Sequence, residues 1–128
     1  MNLDPKSIDR TVRVTRYKLG YTPSEMAEVL DNIAPTVNTL AELRTALVAF
    51  EKNAQFKLMT AETIRETRIL FGFTAAQFGP LLGFKTSATI RSTVSALEGG
   101  RIAVSEPVTR LARAYISGYR PPDWPHKS

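Results

Sequence analysis

The segment from Ile90 to Arg101 constrains the fold most, because it combines an apolar helix face with an abrupt helix stop. Ile90, Val94 and Leu97 recur at intervals of four and three residues. That spacing places them on one side of an α-helix. Two consecutive glycines follow Glu98, and glycine pairs of this kind end helices. The segment therefore predicts a short amphipathic helix with a defined C-terminal end.

The other face of this predicted helix is polar and carries short side chains. Its members are Arg91, Ser92 and Ser95. A face of this type can lie against base edges in the DNA major groove without burying an unpaired charge. We therefore expect these three residues to read bases. Where the chain leaves the helix, the backbone amides of the two glycines, Gly100 among them, and the side chain of Arg101 are expected to bind backbone phosphates.

Composition narrows the class of protein. The chain has no cysteine, which excludes disulfides, thiolate metal sites and a cysteine nucleophile. Its single histidine, His126, lies near the C-terminus. We therefore expect no metal site, no cofactor and no enzymatic activity. No apolar run approaches the roughly 20 residues that span a bilayer, and the start at Met1 does not resemble a signal peptide, so we expect a cytoplasmic protein without a membrane partner.

The distribution of charge favours an anionic partner for the second half of the chain. The net charge is +5 over 128 residues. Residues 1–57 hold eight basic and seven acidic residues, whereas residues 58–128 hold nine basic and five acidic ones. The basic excess therefore lies in the half that carries the predicted base-reading face, and double-stranded DNA is the partner it indicates.

N-capping residues and glycines divide the second half of the chain into short predicted helices. The predicted N-caps are Thr60, Thr74 and Ser105, and the predicted stops are Gly72, Gly83 and Gly118. Pro80 requires the second helix to be short, because proline removes a backbone hydrogen bond beyond the first turn. We expect a five-helix bundle over about Met59–Gly118, no β-sheet, and an extended Pro-rich tail in which Trp124 is an apolar plug.

The first half of the chain resembles the second. Shifting Val12–Leu30 by 52 positions onto Ile64–Leu82 gives six identities in nineteen positions. About one identity is expected by chance. Residues 1–57 are therefore predicted to be a smaller helical pseudo-repeat that precedes the main bundle. Beyond Leu30 the first copy has no arginine-bearing equivalent of the base-reading face, and its long amphipathic helix Val37–Phe50 is expected to mediate dimerisation.

Residues from about Met59 to Tyr119 resemble the phage-repressor (Xre/Cro-like) helix-turn-helix family. The matching residues are Ile64, Arg68, Gly72, Thr74, Phe78, Leu82, Gly83, Val94, Leu97, Glu98, Gly100, Arg101 and Leu111. The resemblance implies an all-α, lambda-repressor-like helix-turn-helix bundle over residues 58–128. It also implies that Arg91, Ser92 and Ser95 face bases while Thr93 and Arg101 hold the DNA backbone. Glu98 is expected either to form an internal ion pair, for which Arg68 is the candidate partner, or to act as a cap, and not to contact DNA.

Three features depart from the family pattern. The interval from Gly83 to Glu98 is longer than usual, so Phe84–Thr89 holds an insertion that either lengthens the base-reading helix or forms a loop. Its polar residues are Lys85, Thr86, Ser87 and Thr89, which we expect at the DNA backbone. The phosphate-binding glutamine that the family places just after the cap of the second helix is replaced by alanine. Thr74 and Gln77 are then the backbone-contact candidates at that helix start. Glycine replaces the usual alanine at Gly79.

The expected function is sequence-specific transcriptional repression by a phage- or prophage-encoded homodimer bound to an inverted-repeat operator. Two alternatives remain open. The chain is an antitoxin whose N-terminal half binds a toxin and whose C-terminal half autoregulates, or it is a protein-interaction adaptor that has lost DNA binding. The retained polar face of Arg91, Ser92 and Ser95 argues against the adaptor.

Overall fold

A computed structural model describes residues 5–125, and over that range the chain is all-helical. The α-helices are α1 Pro5–Leu19, α2 Pro23–Ile33, α3 Leu40–Asn53, α4 Ala61–Phe71, α5 Ala75–Leu81, α6 Ile90–Glu98 and α7 Glu106–Ile116. A 3-10 turn, Ala34–Thr36, separates α2 from α3, and residues 5–125 contain no strand. The predicted all-α class is confirmed. Met1 and His126, on which two of the sequence predictions depend, lie outside the described residues.

The chain divides between Lys57 and Leu58 into two compact units. We call Met1–Lys57 unit 1 and Leu58–Ser128 unit 2. The sequence divides at the same position, because the basic excess lies in residues 58–128 and the predicted pseudo-repeat lies in residues 1–57. None of the helices in residues 5–125 has the length and apolar character required to cross a bilayer.

Unit 1 is a three-helix arrangement in which α1 packs against both α2 and α3. Its buried core consists of Leu19, Met26, Val29, Leu43 and Leu47. The last helix begins three residues later than the sequence predicted. The predicted start at Val37 was wrong because the side chain of Thr39 caps the backbone N–H of Glu42, so α3 begins at Leu40.

The end of unit 1 is tied to the start of α2 by an ion pair. The ammonium group of Lys57 lies 2.7 Å and 2.6 Å from the two carboxylate oxygens of Glu25. This contact, with the backbone N–H of Thr22, lowers the pKa of the Glu25 carboxyl below its ordinary value. Lys57 also lies over the ring of Tyr21, 5.2 Å from its centroid. The last residue of unit 1 is therefore held beside the start of α2.

Unit 2 has four helices, α4 to α7, so the prediction of five was wrong. Its buried core consists of Met59, Ile64, Phe73, Phe78, Leu81, Leu82, Leu97, Val108, Ala112 and Tyr115. The four are the three helices between the predicted caps and stops and the predicted base-reading helix, and residues 82–89 form turns and a loop. The phenol of Tyr115 donates to the carbonyl of Leu81, and burial raises the pKa of that phenol above its ordinary value. Tyr115 therefore stays a neutral donor that joins α7 to the end of α5.

The two units repeat the same turn between their first two helices. Gly20 follows α1 and Gly72 follows α4, and both have left-handed backbone conformations, with φ of 71° and 72°. Only glycine adopts this region at little cost. Two residues later each unit has a threonine N-cap, Thr22 or Thr74, that forms a capping box with the residue three positions on. The pattern that predicted the pseudo-repeat therefore corresponds to repeated backbone geometry.

An arginine bridges this turn in the same way in both units. The Nη1 atom of Arg16 donates to the carbonyl of Tyr21 at 3.2 Å. In unit 2 the Nη1 atom of Arg68 donates to the carbonyl of Phe73 at 3.1 Å. Both pairs are related by the shift of 52 positions that the sequence indicates. The third helix of each unit packs on the first, α3 on α1 and α6 on α4. The units differ because α6 also packs closely on α5, whereas α3 does not pack closely on α2.

The C-terminal tail folds back on unit 2 rather than remaining extended, so that part of the prediction was wrong. The backbone N–H of Trp124 donates to the carbonyl of Pro121, which closes a turn. The indole packs edge-on against Phe71 and Phe73, with ring centroids 5.3 Å and 5.0 Å away. The predicted role of Trp124 as an apolar plug is thereby confirmed. Arg120, whose role the sequence did not reveal, lies 4.3 Å over the indole ring.

Candidate nucleic-acid interface

The helix pair α5 and α6 brings two backbones close together at Gly79. A Cβ atom placed on Gly79 would lie 2.6 Å from both Cγ1 and Cδ1 of Ile90 and 3.2 Å from Cγ2 of Val94. Real Cβ contacts are essentially never that short, so only glycine fits without movement. Pro80 follows directly, and α5 is only seven residues long, as the sequence required. The junction therefore fixes how α6 is held on α5.

The expected two faces of α6 are present. Ile90, Val94 and Leu97 are buried, with 6%, 0% and 1% of their surfaces exposed. The opposite face is exposed and consists of Arg91, Ser92 and Ser95. The helix spans nine residues, so this face covers little more than two turns.

The insertion forms a loop rather than a longer helix, which resolves the alternative that the sequence left open. Every residue from Lys85 to Thr89 is exposed, and α6 begins only at Ile90. The Thr89 hydroxyl makes no N-cap bond and instead lies 3.1 Å from the Ser87 hydroxyl. Because the loop does not continue α6, its amides do not form the helix N-terminal phosphate site expected of a lengthened helix.

The predicted backbone-contact residues lie at four places, namely the start of α5, the loop, α6 and the turn after α6. The exposed ones are Thr74 and Gln77 at the start of α5, Lys85, Thr86, Ser87 and Thr89 in the loop, and Gly100 and Arg101 after α6. Thr93, the remaining candidate, is half-buried on α6, and its hydroxyl donates to the carbonyl of Thr89 at 3.2 Å. In the capping box the Gln77 carbonyl oxygen accepts from the backbone N–H of Thr74 at 2.9 Å, so its amide nitrogen is directed away from that bond.

The glycine amides after α6 do not serve as predicted. The backbone N–H of Gly100 donates to Leu97 at 3.3 Å, and that of Arg101 donates to Ala96 at 2.9 Å. These two bonds close a Schellman-type helix end around Gly100, whose φ is 80°. The prediction that the Gly100 amide binds phosphate was therefore wrong, because the helix uses that donor itself. The side chain of Arg101 is exposed and leaves from this fixed end.

The segment between Thr74 and Arg101 contains one acidic residue, Glu98, and its carboxylate is paired with an arginine of the same unit. The carboxylate of Glu98 accepts from Nε and Nη2 of Arg68 on α4, at 2.7 Å and 3.0 Å. Only 9% of the Glu98 side chain is exposed, and the pairing raises the pKa of the Arg68 guanidinium. The predicted ion pair is confirmed. The exposed charges of this segment are those of Lys85, Arg91 and Arg101, and all three are positive.

Unit 1 lacks an equivalent surface. The exposed residues of its second helix include Glu28 and Asp31, and Glu42 lies exposed in the first turn of α3. Carboxylates at these positions repel phosphate. The segment of unit 1 that corresponds to α5 and α6 therefore lacks the exclusively positive set of exposed charges found in unit 2.

No group of three His, Asp or Glu side chains in residues 5–125 is placed to hold a metal ion.

Comparisons of the chain with protein-family models, with curated proteins and with solved structures found no match. The geometry of unit 2 is therefore the basis for assigning a function.

The contact at Gly79 leads to a stability prediction. We expect Gly79→Ala to lower the free energy of unfolding by about 1–3 kcal/mol, because the new methyl group overlaps Ile90 in a well-packed junction. The loss exceeds the gain of up to about 1 kcal/mol that alanine gives a helix. Urea denaturation measures it, and Ile90→Ala completes a double-mutant cycle. If the two substitutions are additive, the overlap at Gly79 is not the cause.

Proposed function

We propose that this chain is a sequence-specific DNA-binding transcriptional repressor that binds an inverted-repeat operator as a homodimer and is encoded by a phage or prophage. The observation that carries the proposal is the exposed face of α6. It presents one arginine and two serines on a helix held rigidly against α5. The only carboxylate in the surrounding segment, that of Glu98, is paired inside the protein.

The face suits the major groove because of its shape and its chemistry. B-DNA admits an α-helix in the major groove, where base edges present donors and acceptors. Arg91 can pair with O6 and N7 of a guanine, and the Ser92 and Ser95 hydroxyls can donate to or accept from either type of edge. Short side chains around a single long one allow α6 to approach the bases closely.

The neighbouring elements suit the phosphate backbone. Lys85 in the loop and Arg101 after α6 flank the base-reading face along the chain, and both carry exposed positive charge. The capped start of α5 adds the Gln77 amide. Phosphate contacts of this kind set the register of a protein on DNA, whereas base contacts specify the sequence. Repression follows sterically when the bound dimer excludes polymerase from a promoter.

Selection of bound sites from random duplexes, using the full chain at a fixed salt concentration, tests the proposal. We expect enrichment of a short motif that recurs as an inverted repeat with half-sites about one helical turn apart. Binding that never exceeds the affinity for random DNA would contradict sequence-specific repression and would favour the adaptor. An antitoxin would enrich a motif that occurs in the promoter of its own gene, and it would also bind a toxin protein.

Substitutions of Arg91 and Arg101 distinguish the two kinds of contact. Arg91→Ala is expected to weaken binding to the selected site by about 1–3 kcal/mol and to affect random DNA much less. Arg101→Ala is expected to weaken both and to lower the salt slope by about one per monomer. Arg10→Ala, which removes an exposed charge from α1 of unit 1, is the matched control and should change neither.

Titration of specific and random duplexes at several salt concentrations measures these effects. Equal weakening of both duplexes by Arg91→Ala would make Arg91 a backbone contact. Base reading would then have to come from the loop residues Lys85–Thr89.

A further inference from the structure

A groove runs between α1 and α2 in unit 1. Its volume is about 270 Å³, and the described residues that line it all belong to these two helices. The apolar part of the lining includes Val12, Met26, Ala27 and Leu30. Because no described residue of α3 lines the groove, α3 leaves this side of the helix pair uncovered.

In unit 2 the equivalent groove is filled by α6. The shift of 52 positions pairs the apolar lining residues of the two grooves, which are Val12 and Ile64, Ala27 and Gly79, and Leu30 and Leu82. The helix α6 packs on both α4 and α5, and its residues Ile90 and Val94 lie against Gly79. Unit 2 therefore shows what kind of element fits this position.

The burial of the paired residues differs in the way that an uncovered groove requires. Ile64, Gly79 and Leu82 of unit 2 are all buried. Their counterparts are more exposed, since Val12 and Leu30 are only half-buried and Ala27 is exposed. Unit 1 therefore retains a site for a helix on its first two helices, and this site is open among the described residues.

We propose that this groove binds an amphipathic helix of another protein. The helix carries a small residue, apolar residues four and seven positions later, and a carboxylate directly after the last of them. This is the spacing of Ile90, Val94, Leu97 and Glu98 in α6, with a small residue in place of the isoleucine. Docking of an amphipathic helix into an apolar groove is a common mode of protein recognition. The site does not depend on the DNA-binding function proposed above.

The charges of the groove favour an acidic end on the bound helix. The charged lining residues are Asp9, Arg13 and Arg16, and Asp9 is paired with Arg13 on α1. Arg16 corresponds to Arg68, and each donates from Nη1 to the equivalent turn carbonyl. In unit 2 this placement directs Nε and Nη2 of the arginine to Glu98 of α6. A carboxylate at the end of a docked helix therefore meets a cation at Arg16.

Ala27 determines the size of the residue that can lie against it. A Cβ atom on Gly79 would lie 2.6 Å from the side chain of Ile90, and Ala27 carries such an atom. A helix that docks as α6 does must therefore have a smaller side chain at the position of Ile90. The α6 helix of a second copy is unsuitable for this reason, and its apolar face is already buried in its own unit.

A fluorescent peptide of residues 89–101 that carries Ile90→Ala tests the groove with the full chain. We expect a dissociation constant of about 10–100 µM, because so short a peptide must become helical when it binds. Ala27→Gln in the chain places a longer side chain in the groove and is expected to weaken binding about tenfold or more. Ala49→Gln is the matched control, because Ala49 is also an exposed helical alanine, and it should change nothing. Fluorescence anisotropy measures each affinity.

Two changes to the peptide test how it docks. The peptide that keeps Ile90 is expected to bind about tenfold more weakly, and Ala27→Gly in the chain should restore its affinity. Glu98→Gln in the peptide is expected to weaken binding about tenfold, because it removes a charge-assisted bond to Arg16. This last change cannot alter the fold of the chain. Circular dichroism verifies that the chain variants remain helical.

Absence of binding, or binding that Ala27→Gln and Ala49→Gln affect equally, overturns the groove. Indifference to Ile90→Ala or Glu98→Gln in the peptide overturns docking in the manner of α6. Self-association of the full chain that Ala27→Gln abolishes would make a second copy the occupant and would overturn the proposed partner. These measurements contain no DNA, so their failure leaves the repressor function untouched, and failure of the site selection leaves the groove untouched.

Discussion

Glu98→Gln is expected to lower the free energy of unfolding of unit 2 by about 2–4 kcal/mol. The substitution keeps the size of the side chain but removes the negative charge that Arg68 faces. Arg68 remains protonated at all relevant pH values because the pairing raises its pKa from an already high value. Its guanidinium is largely buried, with 23% of the side chain exposed. The variant therefore leaves a buried charge without its counter-charge.

The retained bond from Arg68 to the Phe73 carbonyl limits the loss, because the guanidinium still has one acceptor. Urea denaturation followed by circular dichroism measures the change. Glu106→Gln is the matched control, since Glu106 also pairs with an arginine but both partners are exposed, at 58% and 63%. We expect it to cost less than about 1 kcal/mol. Equal losses in the two variants would show that burial of the Arg68 pair is unimportant.

Replacing both partners separates the charge from the packing. Arg68→Met combined with Glu98→Leu is expected to recover a substantial part of the stability that Glu98→Gln loses, because two apolar side chains fill the space without a desolvation cost. The pair joins α4 to the last residue of α6. Its loss is therefore expected to loosen the C-terminal end of the helix that carries the base-reading face.

Helix starts could be predicted from the sequence because caps are local. Thr60, Thr74 and Ser105 each accept a bond from a backbone N–H three residues later, as predicted, and Thr22 of unit 1 does the same. The start of α3 was missed although its signal was present. Thr39 followed by Glu42 is a capping pattern, but the apolar spacing that begins at Val37 indicated an earlier helix start.

Features that depend on distant residues could not be predicted in the same way. The tail turns back because Trp124 finds aromatic rings on α4 and α7, which are far away in the sequence. The Gly100 amide was expected to face phosphate because the sequence indicated a helix stop but not which acceptor would satisfy each donor. For Phe84–Thr89 the sequence allowed either a helix or a loop, and the structure shows a loop.

The exposed face of α6 could be predicted from the sequence alone. The exposed positions of α6 follow from the period of the helix once Ile90, Val94 and Leu97 are assigned to the core. The ion pair of Glu98 and Arg68 was also expected, because an unpaired carboxylate would repel phosphate. The steric reason for Gly79 required coordinates, since the sequence shows a small residue but not which side chain approaches it.

The pseudo-repeat provides equivalent core positions in the two units. Met26 of unit 1 and Phe78 of unit 2 are related by the shift of 52 positions and are 2% and 0% exposed. We expect Phe78→Ala to destabilise unit 2 by about 3–5 kcal/mol and Met26→Ala to destabilise unit 1 by about 2–5 kcal/mol. The larger loss is expected for phenylalanine because the cavity that it leaves is larger.

Hydrogen exchange resolved by mass spectrometry measures where each loss occurs. Phe78→Ala is expected to raise exchange in α4 to α7, and Met26→Ala is expected to raise it in α1 to α3. Ile69→Ala is the control, because Ile69 is 57% exposed and its truncation should change stability by less than about 0.5 kcal/mol. If each core substitution raises exchange equally in both units, the chain unfolds as one cooperative body. Exchange that rises only in the substituted unit would mean that the two units unfold independently.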